Sequence, residues 1–410
     1  MHAEAATVTP KPEHVPETLV MDFDIYHDPR LLSDVHAGYR QLQLDAPDVF
    51  WTRHNGGHWM ITRHDLIQQV MRDFEHFSNK ELEVPKTESP FVAIPINLDP
   101  PEHTTYRIML SKHFGPKVVA GLDTKMREWA NRLIDRVYDR GEVDFAEALG
   151  ASFPVSIFME MAGMPLDRLE DFRLLVKDFF GHHSREYHVD LQRRIVGEME
   201  AIIDDRIANR RDDLVIRLVD ETVQGRPLSR DELKSILLLL FLAGLDTVAN
   251  AMTFAFRNLA ERPDIQERLR SDPTAIPNFV EESLRRFAIV NGVRLVKQNV
   301  TLGGVEFRKG DMIIAPLTLV GLDDRANPDP TSFDVDRAKR QHLTFSTGPH
   351  ICLGHYLARA EMRVFVEEFL RRIPQFRIQT GYQPHFRAGL VMALENLPLE
   401  WPVERRAEAA

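Results

Sequence analysis

Apolar residues crowd positions 233–256, and the polar positions around them say what kind of element they form. Ser229-Arg230-Asp231-Glu232 stands in front. A hydroxyl followed three residues on by a carboxylate is a capping box, in which each side chain satisfies a free backbone N–H at a helix start. The spacing predicts a helix that begins at this box and runs through residues 236–242, the pentad Ala243-Gly244-Leu245-Asp246-Thr247 and residues 248–256. Asp246, Asn250 and Arg257 interrupt it too often for a bilayer span, which takes about 20 predominantly apolar residues. It is expected as a long helix buried in a globular core. Ala243 and Gly244 form a thin strip where a flat ligand can approach the backbone, with an acid, Asp246, and an alcohol, Thr247, beside it. A helical threonine also bonds back to the carbonyl one turn earlier without doing chemistry, and a buried aspartate is also satisfied by a nearby Arg or Lys.

Helical spacing recurs over residues 353–370 and in a segment opening near Pro277, where Glu282 and Arg285 fall three apart on one face. On a solvated helix such a pair contributes only a few tenths of a kcal/mol. Pro100-Pro101 can open another helix, on which His103 and Arg107, four apart, face one way. Strands are expected over residues 57–62 and within 294–316, where Gly303-Gly304 and Lys309-Gly310 punctuate alternating apolar residues as hairpin turns do. No internal repeat is present. The pattern is mainly α: one large helical domain with a small β-rich portion. Residues 1–20, rich in Pro and Thr and without an apolar stretch, are expected to be a flexible tail rather than a secretory signal.

The chain has one cysteine, Cys352. Internal disulfides are therefore excluded, and a reducing, cytoplasmic compartment is expected. A lone cysteine reads as a small buried hydrophobe or as a nucleophile served by a distant histidine. Neither accounts for its setting, Phe345-Ser346-Thr347-Gly348-Pro349-His350-Ile351-Cys352-Leu353-Gly354. A sulfur held under a metalloporphyrin must stay anionic and fixed in direction. Gly348 and Gly354 let the backbone turn tightly and come close, Phe345 covers one side, His350 offers a donor, and a helix starting just beyond Cys352 stabilises an anion.

The pattern Phe345-x-x-Gly348-x-His350-x-Cys352-x-Gly354 resembles the haem-binding signature of the cytochrome P-450 superfamily, with His350 where many members carry Arg. Other motifs resemble the family's in the same order. Glu282-x-x-Arg285 resembles its Glu-Arg core pair, and Ala243-Gly244-Leu245-Asp246-Thr247 its oxygen-binding helix, in which the acid and alcohol deliver protons. His103 and Arg107 resemble its propionate-binding pair, which Arg294 and His350 would complete. In many members a third Arg joins the Glu-Arg pair. Ser332 falls at its place here, leaving Arg337 or Arg340 to compensate. The resemblance extends from about Pro29 to Trp401 and is closest to the bacterial camphor-hydroxylase branch, through Ile94-Pro95 before Asp99-Pro100-Pro101-Glu102 and through Leu397-Pro398-Leu399-Glu400-Trp401.

The resemblance implies a single cytochrome P-450 domain, residues 21–410, folded around a central haem b (iron protoporphyrin IX) whose iron is bound by Cys352. It implies a monooxygenase that hydroxylates a small hydrophobic substrate with O2 and two electrons from an iron–sulfur ferredoxin and its NADH-dependent reductase. Neither a GxGxxG fingerprint nor a cysteine cluster is present for a fused reductase. Phe91 falls where the camphor enzyme has a Tyr that binds the ketone, so camphor would lose its polar anchor. Leu239, Leu242, Val290, Val293 and Val391 fall at pocket positions and would make an apolar cavity suited to a terpenoid or norisoprenoid skeleton. Two rivals stand beside this reading: a peroxide-driven peroxygenase of the same fold, and a non-enzymatic haem sensor or carrier. A net charge of −11 argues against nucleic acid, and nothing in the chain suggests a membrane anchor. Arg72, Arg107, Lys339 and Arg359, with Glu75 weakening them, form a candidate basic patch for an acidic redox partner.

Overall fold

A computed structural model of the chain describes residues 8–86, 92–180 and 185–403. Its first described residues are packed. Thr9 N–H donates to the Arg53 carbonyl at 2.9 Å, His14 pairs with Asp311 at 2.9 Å, and Val15 is buried. Residues 8–20, expected to belong to a flexible tail, are thus held by partners distant in sequence, which no local pattern reveals.

One five-stranded sheet gathers the distant parts of the chain. In chain order the strands are β1 (Val49–Thr52), β2 (His58–Ile61), β3 (Phe77–Ser78), β4 (Asn291–Val296), a separate small hairpin β5 (Val300–Leu302) and β6 (Val305–Phe307), and β7 (Met312–Pro316). The large sheet has the order β1-β2-β7-β4-β3. β7 is parallel to β2 and antiparallel to β4, with Ile313 opposite Arg294. The turn at Gly303-Gly304 is a hairpin, both glycines having positive φ. Lys309-Gly310 is not, because the chain there leaves the small hairpin for the large sheet. All five residues of β7 are buried, so this strand belongs in a sheet interior.

The helices that frame the site are α1 (Val35–Asp45), α2 (His64–Arg72), α3 (Glu102–Ser111), α4 (Asp123–Asp135), α5 (Ser152–Ala162), α6 (Leu169–Phe180), α7 (Arg185–Ala208), α8 (Arg230–Glu261), α9 (Ile276–Arg286) and α10 (His355–Arg372). α8 opens on the expected box: Ser229 Oγ accepts from Glu232 N–H, and the Glu232 carboxylate accepts from Ser229 N–H. The same carboxylate accepts a short hydrogen bond from Tyr106 of α3. Among the described helices α8 is the one long and apolar enough to cross a membrane, but 61% of its most apolar window is buried inside the fold. It is the central rod of the core. Phe256 on α8 stacks on Phe145 at 4.0 Å and meets Phe369 of α10 edge-on at 5.0 Å. α10 is clamped to α4 by Arg127, which reaches Glu367 at 2.6 Å and Glu368 at 2.7 Å, and by Arg363 with Asp123 at 2.6 Å. These contacts fix the helix that follows Cys352 against the one that carries Asp246. A last hairpin, β8 (Phe386–Arg387) with β9 (Ala393–Leu394), closes the fold. Its connecting loop bridges Val391 to Val290.

His36 of α1 sits in this core with its ring edge-on to Phe254 at 4.6 Å and Phe287 at 5.3 Å, and Nε2–H donates to the Ala288 carbonyl at 3.0 Å. Burial, with the Arg286 charge second, lowers its pKa to about 4. An unfolded chain protonates this ring near 6.5. The stability His36 contributes is therefore present above about pH 6.5 and lost as pH falls towards about 4, because the unfolded state takes up the proton first. Urea midpoints followed across that window are expected to fall more steeply for the native protein than for His36→Asn. Parallel slopes would count against it.

Candidate active site

Cys352 is placed by a loop that only a few residue types can form. Gly348 has φ +72°, and a Cβ there would lie 3.0 Å from Arg72 Cα and 3.1 Å from the Met71 carbonyl at the end of α2. The loop therefore needs glycine for both conformation and close approach. Cys352 N–H donates to the Phe345 carbonyl at 2.8 Å, folding the run back on itself. Gly354 acts differently from expectation. Its φ is −86° and nothing lies within 4 Å of its missing Cβ, so it supplies its amide, which donates to the Cys352 sulfur, and open space. Burial pushes the Cys352 thiol up, while the Gly354 amide, Arg107 and Arg359 pull it down. Burial prevails over these donors, so the sulfur needs a cation to become a thiolate, and a coordinated metal deprotonates a thiol outright. Phe345 is half-buried, with the Arg359 guanidinium 4.5 Å from its ring centre.

Beside the loop stand His103, Arg107, Arg294 and His350, three of which keep a buried nitrogen without an acceptor. The rings of His103 on α3 and His350 lie 4.1 Å apart. Burial, then the Arg107 charge, lowers the His103 pKa to about 4. Burial, then His103, Arg294 and Arg107, lowers that of His350 to about 3. Arg294, in the middle of β4, is buried and its pKa is lowered by that burial to about 10. One of its amino groups is held by Asn79 and by the Val293 carbonyl. Among the described residues, His103 Nδ1, His350 Nε2 and Arg294 Nη2 are buried without a hydrogen-bond partner. Unpaired buried donors of this kind cost about 1–3 kcal/mol each, so the cradle fits a ligand that brings acceptors, such as the two carboxylates of a haem. Arg107 stands half-buried next to them and senses the Cys352 charge.

Behind the loop, Glu282 and Arg285 of α9 are both fully buried and doubly bonded, at 2.7 and 2.9 Å. This is far from the solvated pair that the spacing alone suggests. The third arginine is Arg337, whose Nε reaches Glu282 at 3.0 Å; Arg340 lies at 3.5 Å. Ser332, which holds the usual third position, contributes its carbonyl, accepting from Arg285 at 2.8 Å and Arg337 at 3.1 Å, and its hydroxyl, 3.0 Å from Arg337. On the neighbouring position Glu281 pairs with Arg359. The expected basic patch is therefore reduced: Arg72 and Lys339 are exposed, but Arg359 is neutralised and Arg107 is half-buried at the sulfur.

α8 presents two different faces. Ala243 and Gly244 are exposed in the middle of an otherwise buried helix, with Leu240 and Thr247 half-buried on the same stripe. This is the thin strip expected from the pentad. Thr247 Oγ1 donates to the Ala243 carbonyl at 3.0 Å. Asp246 points to the other stripe and pairs with Arg387 of β8 at 3.3 Å, and burial pushes its carboxyl above the usual range. Of the expected pocket residues, Leu242 and Val293 are buried, while Leu239, Val290 and Val391 are half-buried, the last two joined by their bridge. Phe91 lies outside the described residues. Sequence reasoning missed Asn79, which orients Arg294, and Arg387, which holds Asp246 from 141 residues away. A polar partner at such separation leaves no local signal.

Comparison with known proteins agrees with this geometry. The family model described as Cytochrome P450 matches residues 154–391. A curated relative named "Probable cytochrome P450 127A1", from Sinorhizobium fredii (strain NBRC 101917 / NGR234), is 32% identical over 406 residues, covering 96% of this chain and 97% of its own. A "Methyl-branched lipid omega-hydroxylase" from Mycobacterium tuberculosis (strain ATCC 25618 / H37Rv) is 29% identical, over 90% of this chain and 91% of its own. Among solved structures, CYP101J2 superposes with a TM-score of 0.90 at 35% identity, and CYP101C1 with 0.90 at 31%; each comparison covers 96% of this chain and 100% of the other.

Removing the buried Glu282 charge leaves Arg285 and Arg337 facing each other uncompensated. Glu282→Gln is expected to cost about 3–5 kcal/mol in urea unfolding, as breaking buried ion pairs does. Ser332→Ala keeps the carbonyl that both arginines use and is expected to cost less than about 1.5 kcal/mol, the net worth of one hydrogen bond.

Proposed function

The chain belongs to the cytochrome P450 family and is a haem-dependent monooxygenase, and on that premise we propose that it hydroxylates a small hydrophobic substrate of the terpenoid or norisoprenoid class with electrons from an iron–sulfur ferredoxin. The likeness to CYP101J2 and CYP101C1 supports placing it in the camphor-hydroxylase branch. A reducing cytoplasm suits its single free cysteine. The observation that carries the reading is the loop that sets Cys352 beside a cradle of unpaired donors, together with an exposed Ala243-Gly244 strip and an acid–alcohol pair on one helix.

Bound haem b supplies the iron at which O2 is activated and one oxygen atom is transferred. Cys352 is its thiolate ligand, a donor that favours O–O cleavage, kept in direction by the Phe345 carbonyl and the Gly354 amide. His103, Arg107, Arg294 and His350 hold the carboxylates. Ala243 and Gly244 keep the floor of the substrate space low, and Leu239, Leu242, Val290, Val293 and Val391 wall it with apolar surface that orients a rigid hydrocarbon by shape. Asp246 carries protons to Thr247, whose hydroxyl gives up its bond to the Ala243 carbonyl to pass them on. A peroxygenase would have no use for this pair, since peroxide already brings both protons.

The reduced, carbon-monoxide-treated protein is expected to give the Soret band of thiolate ligation, and Cys352→His to lose it. Its retention in the variant would remove Cys352 as ligand. Thr247→Ala is expected to go on consuming NADH with reconstituted ferredoxin and reductase while product per NADH falls about 10-fold or more, on the scale of general acid catalysis. Unchanged coupling would take Thr247 out of the relay. Titration of the ferric protein with terpenoids is expected to shift it from low to high spin; a shift with long-chain fatty acids alone would overturn the substrate class.

A further inference from the structure

The wall to which Val290 and Val391 belong is held from behind by a residue that has so far had no role. Val290, just ahead of β4, and Arg294 within it are an even number of residues apart and share the strand face turned to the site. Asn291 belongs to the other face and is buried there, 3% exposed. Its backbone N–H donates to the Leu390 carbonyl at 2.9 Å. Its side-chain Nδ2 donates to the Gly389 carbonyl and to the Tyr39 hydroxyl of α1, each at 2.6 Å. Only the nitrogen end of an amide can serve a carbonyl, so Gly389 fixes which way the side chain points. Oδ1 is left buried without a partner among the described residues, an unfavourable arrangement kept in exchange for the two bonds that the nitrogen makes.

The two carbonyls gripped by Asn291 immediately precede Val391. Beyond them Met392 N–H donates to the Ile289 carbonyl at 2.8 Å, and Val391 itself bridges to Val290. Residues 389–392 are thus laced to residues 289–291, and the Asn291 amide adds a side-chain bond to that backbone lacing. Tyr26 presses on the same loop from outside. Gly389 has φ +119°, and a Cβ there would lie 2.8 Å from two carbons of the Tyr26 ring, so the position needs glycine. The Tyr26 hydroxyl donates to the Val84 carbonyl at 2.9 Å, which fixes the ring in turn. With Tyr26 closing one side and the Asn291 amide gripping the other, the Gly389 peptide is held in one place, and the depth at which Val391 stands follows from it.

We propose that Asn291 is a specificity-determining positioning residue: from the strand face turned away from the substrate, its bond to the Gly389 carbonyl sets how far Val391 projects into the substrate space, and so which skeleton fits and which of its carbons is presented to the haem. The proposal rests on the reading that Val290 and Val391 wall a space for a terpenoid or norisoprenoid. Apolar walls orient such a ligand by shape, which makes their position critical. A misplacement of about 1 Å caused far from the chemistry costs on the order of 100-fold in rate. Removing the amide leaves the backbone bonds of residues 291 and 392 in place, so the loop stays paired while the Gly389 peptide loses its anchor.

The test uses the ferric holoenzyme, with camphor as a compact bicyclic probe and β-ionone as a longer norisoprenoid. In Asn291→Ala, amide hydrogen exchange across residues 389–392 is expected to speed up about 10-fold, as local opening becomes easier. The ratio of the two dissociation constants, read from the low- to high-spin change, is expected to move by about 10-fold, and the proportions of hydroxylated β-ionone isomers to change in turnover with reconstituted redox partners. Asn291→Ser, whose hydroxyl still donates, is expected to fall between the two. Tyr39→Phe removes the other bond of the amide and is expected to lower the urea midpoint while leaving ratio and isomers as in the native protein. A native ratio and isomer pattern in Asn291→Ala, or an equal change in Tyr39→Phe, would overturn the role and leave Asn291 a packing residue. Where Asn291→Ala does not take up haem, Asn291→Ser decides alone: a displaced ratio supports the role and a native one overturns it. A native protein that neither probe shifts to high spin would instead bring down the substrate reading, and the proposal with it.

Discussion

An anionic sulfur does not sit in a protein interior unaided, and on the proposed reading the need to keep Cys352 charged and immobile organises most of what surrounds it. Burial raises the thiol against the combined pull of an amide and two arginines. The remaining stabilisation has to come from a cation, and on the proposed reading that cation is the haem iron. The same logic runs outward. His103, His350 and Arg294 keep buried nitrogens without protein acceptors, an arrangement that a ligand bringing acceptors would relieve. Desolvation of these groups is the opposing cost, visible in the lowered pKa of both histidines.

Rigidity behind the site answers the same need. Glu282 serves Arg285, Arg337 and Arg340 in a place without solvent, and carbonyls from residues 321, 330 and 332 complete the coordination of the Arg285 guanidinium. A buried ion network of this kind adds little net stability against a well-packed apolar alternative, but it tolerates no displacement. The aromatic contacts from Phe145 through Phe256 to Phe369 and the α4–α10 ion pairs extend this stiffness to the helix after Cys352.

Local chemistry was legible in the sequence where one short segment sets it. The capping box before α8, the glycine at 348 and the i,i+3 pair of Glu282 and Arg285 each follow from spacing and residue type, and the family signature tied them to one cofactor. What escaped depends on neighbours far along the chain. Residues 8–20 look like a tail because their anchors, Arg53 and Asp311, are remote. Ser332 looks like a missing arginine until the backbone carries Arg337 to Glu282. Gly354 looks like a residue chosen for its φ, yet it adopts an ordinary one and matters for its amide. Arg387 has no motif at all; only the closing of the last hairpin against α8 brings it to Asp246.

The carboxylate of Glu232 does more than cap α8. By also accepting the Tyr106 hydroxyl it ties the helix that carries His103 and Arg107 to the one that carries Asp246 and Thr247. A hydrogen bond to an ionised acceptor is roughly twice as strong as a neutral one. The two helices are therefore tied to each other at this point. On the proposed reading, a thermal fluctuation large enough to part these two helices would loosen the hold on the haem carboxylates and the proton relay together.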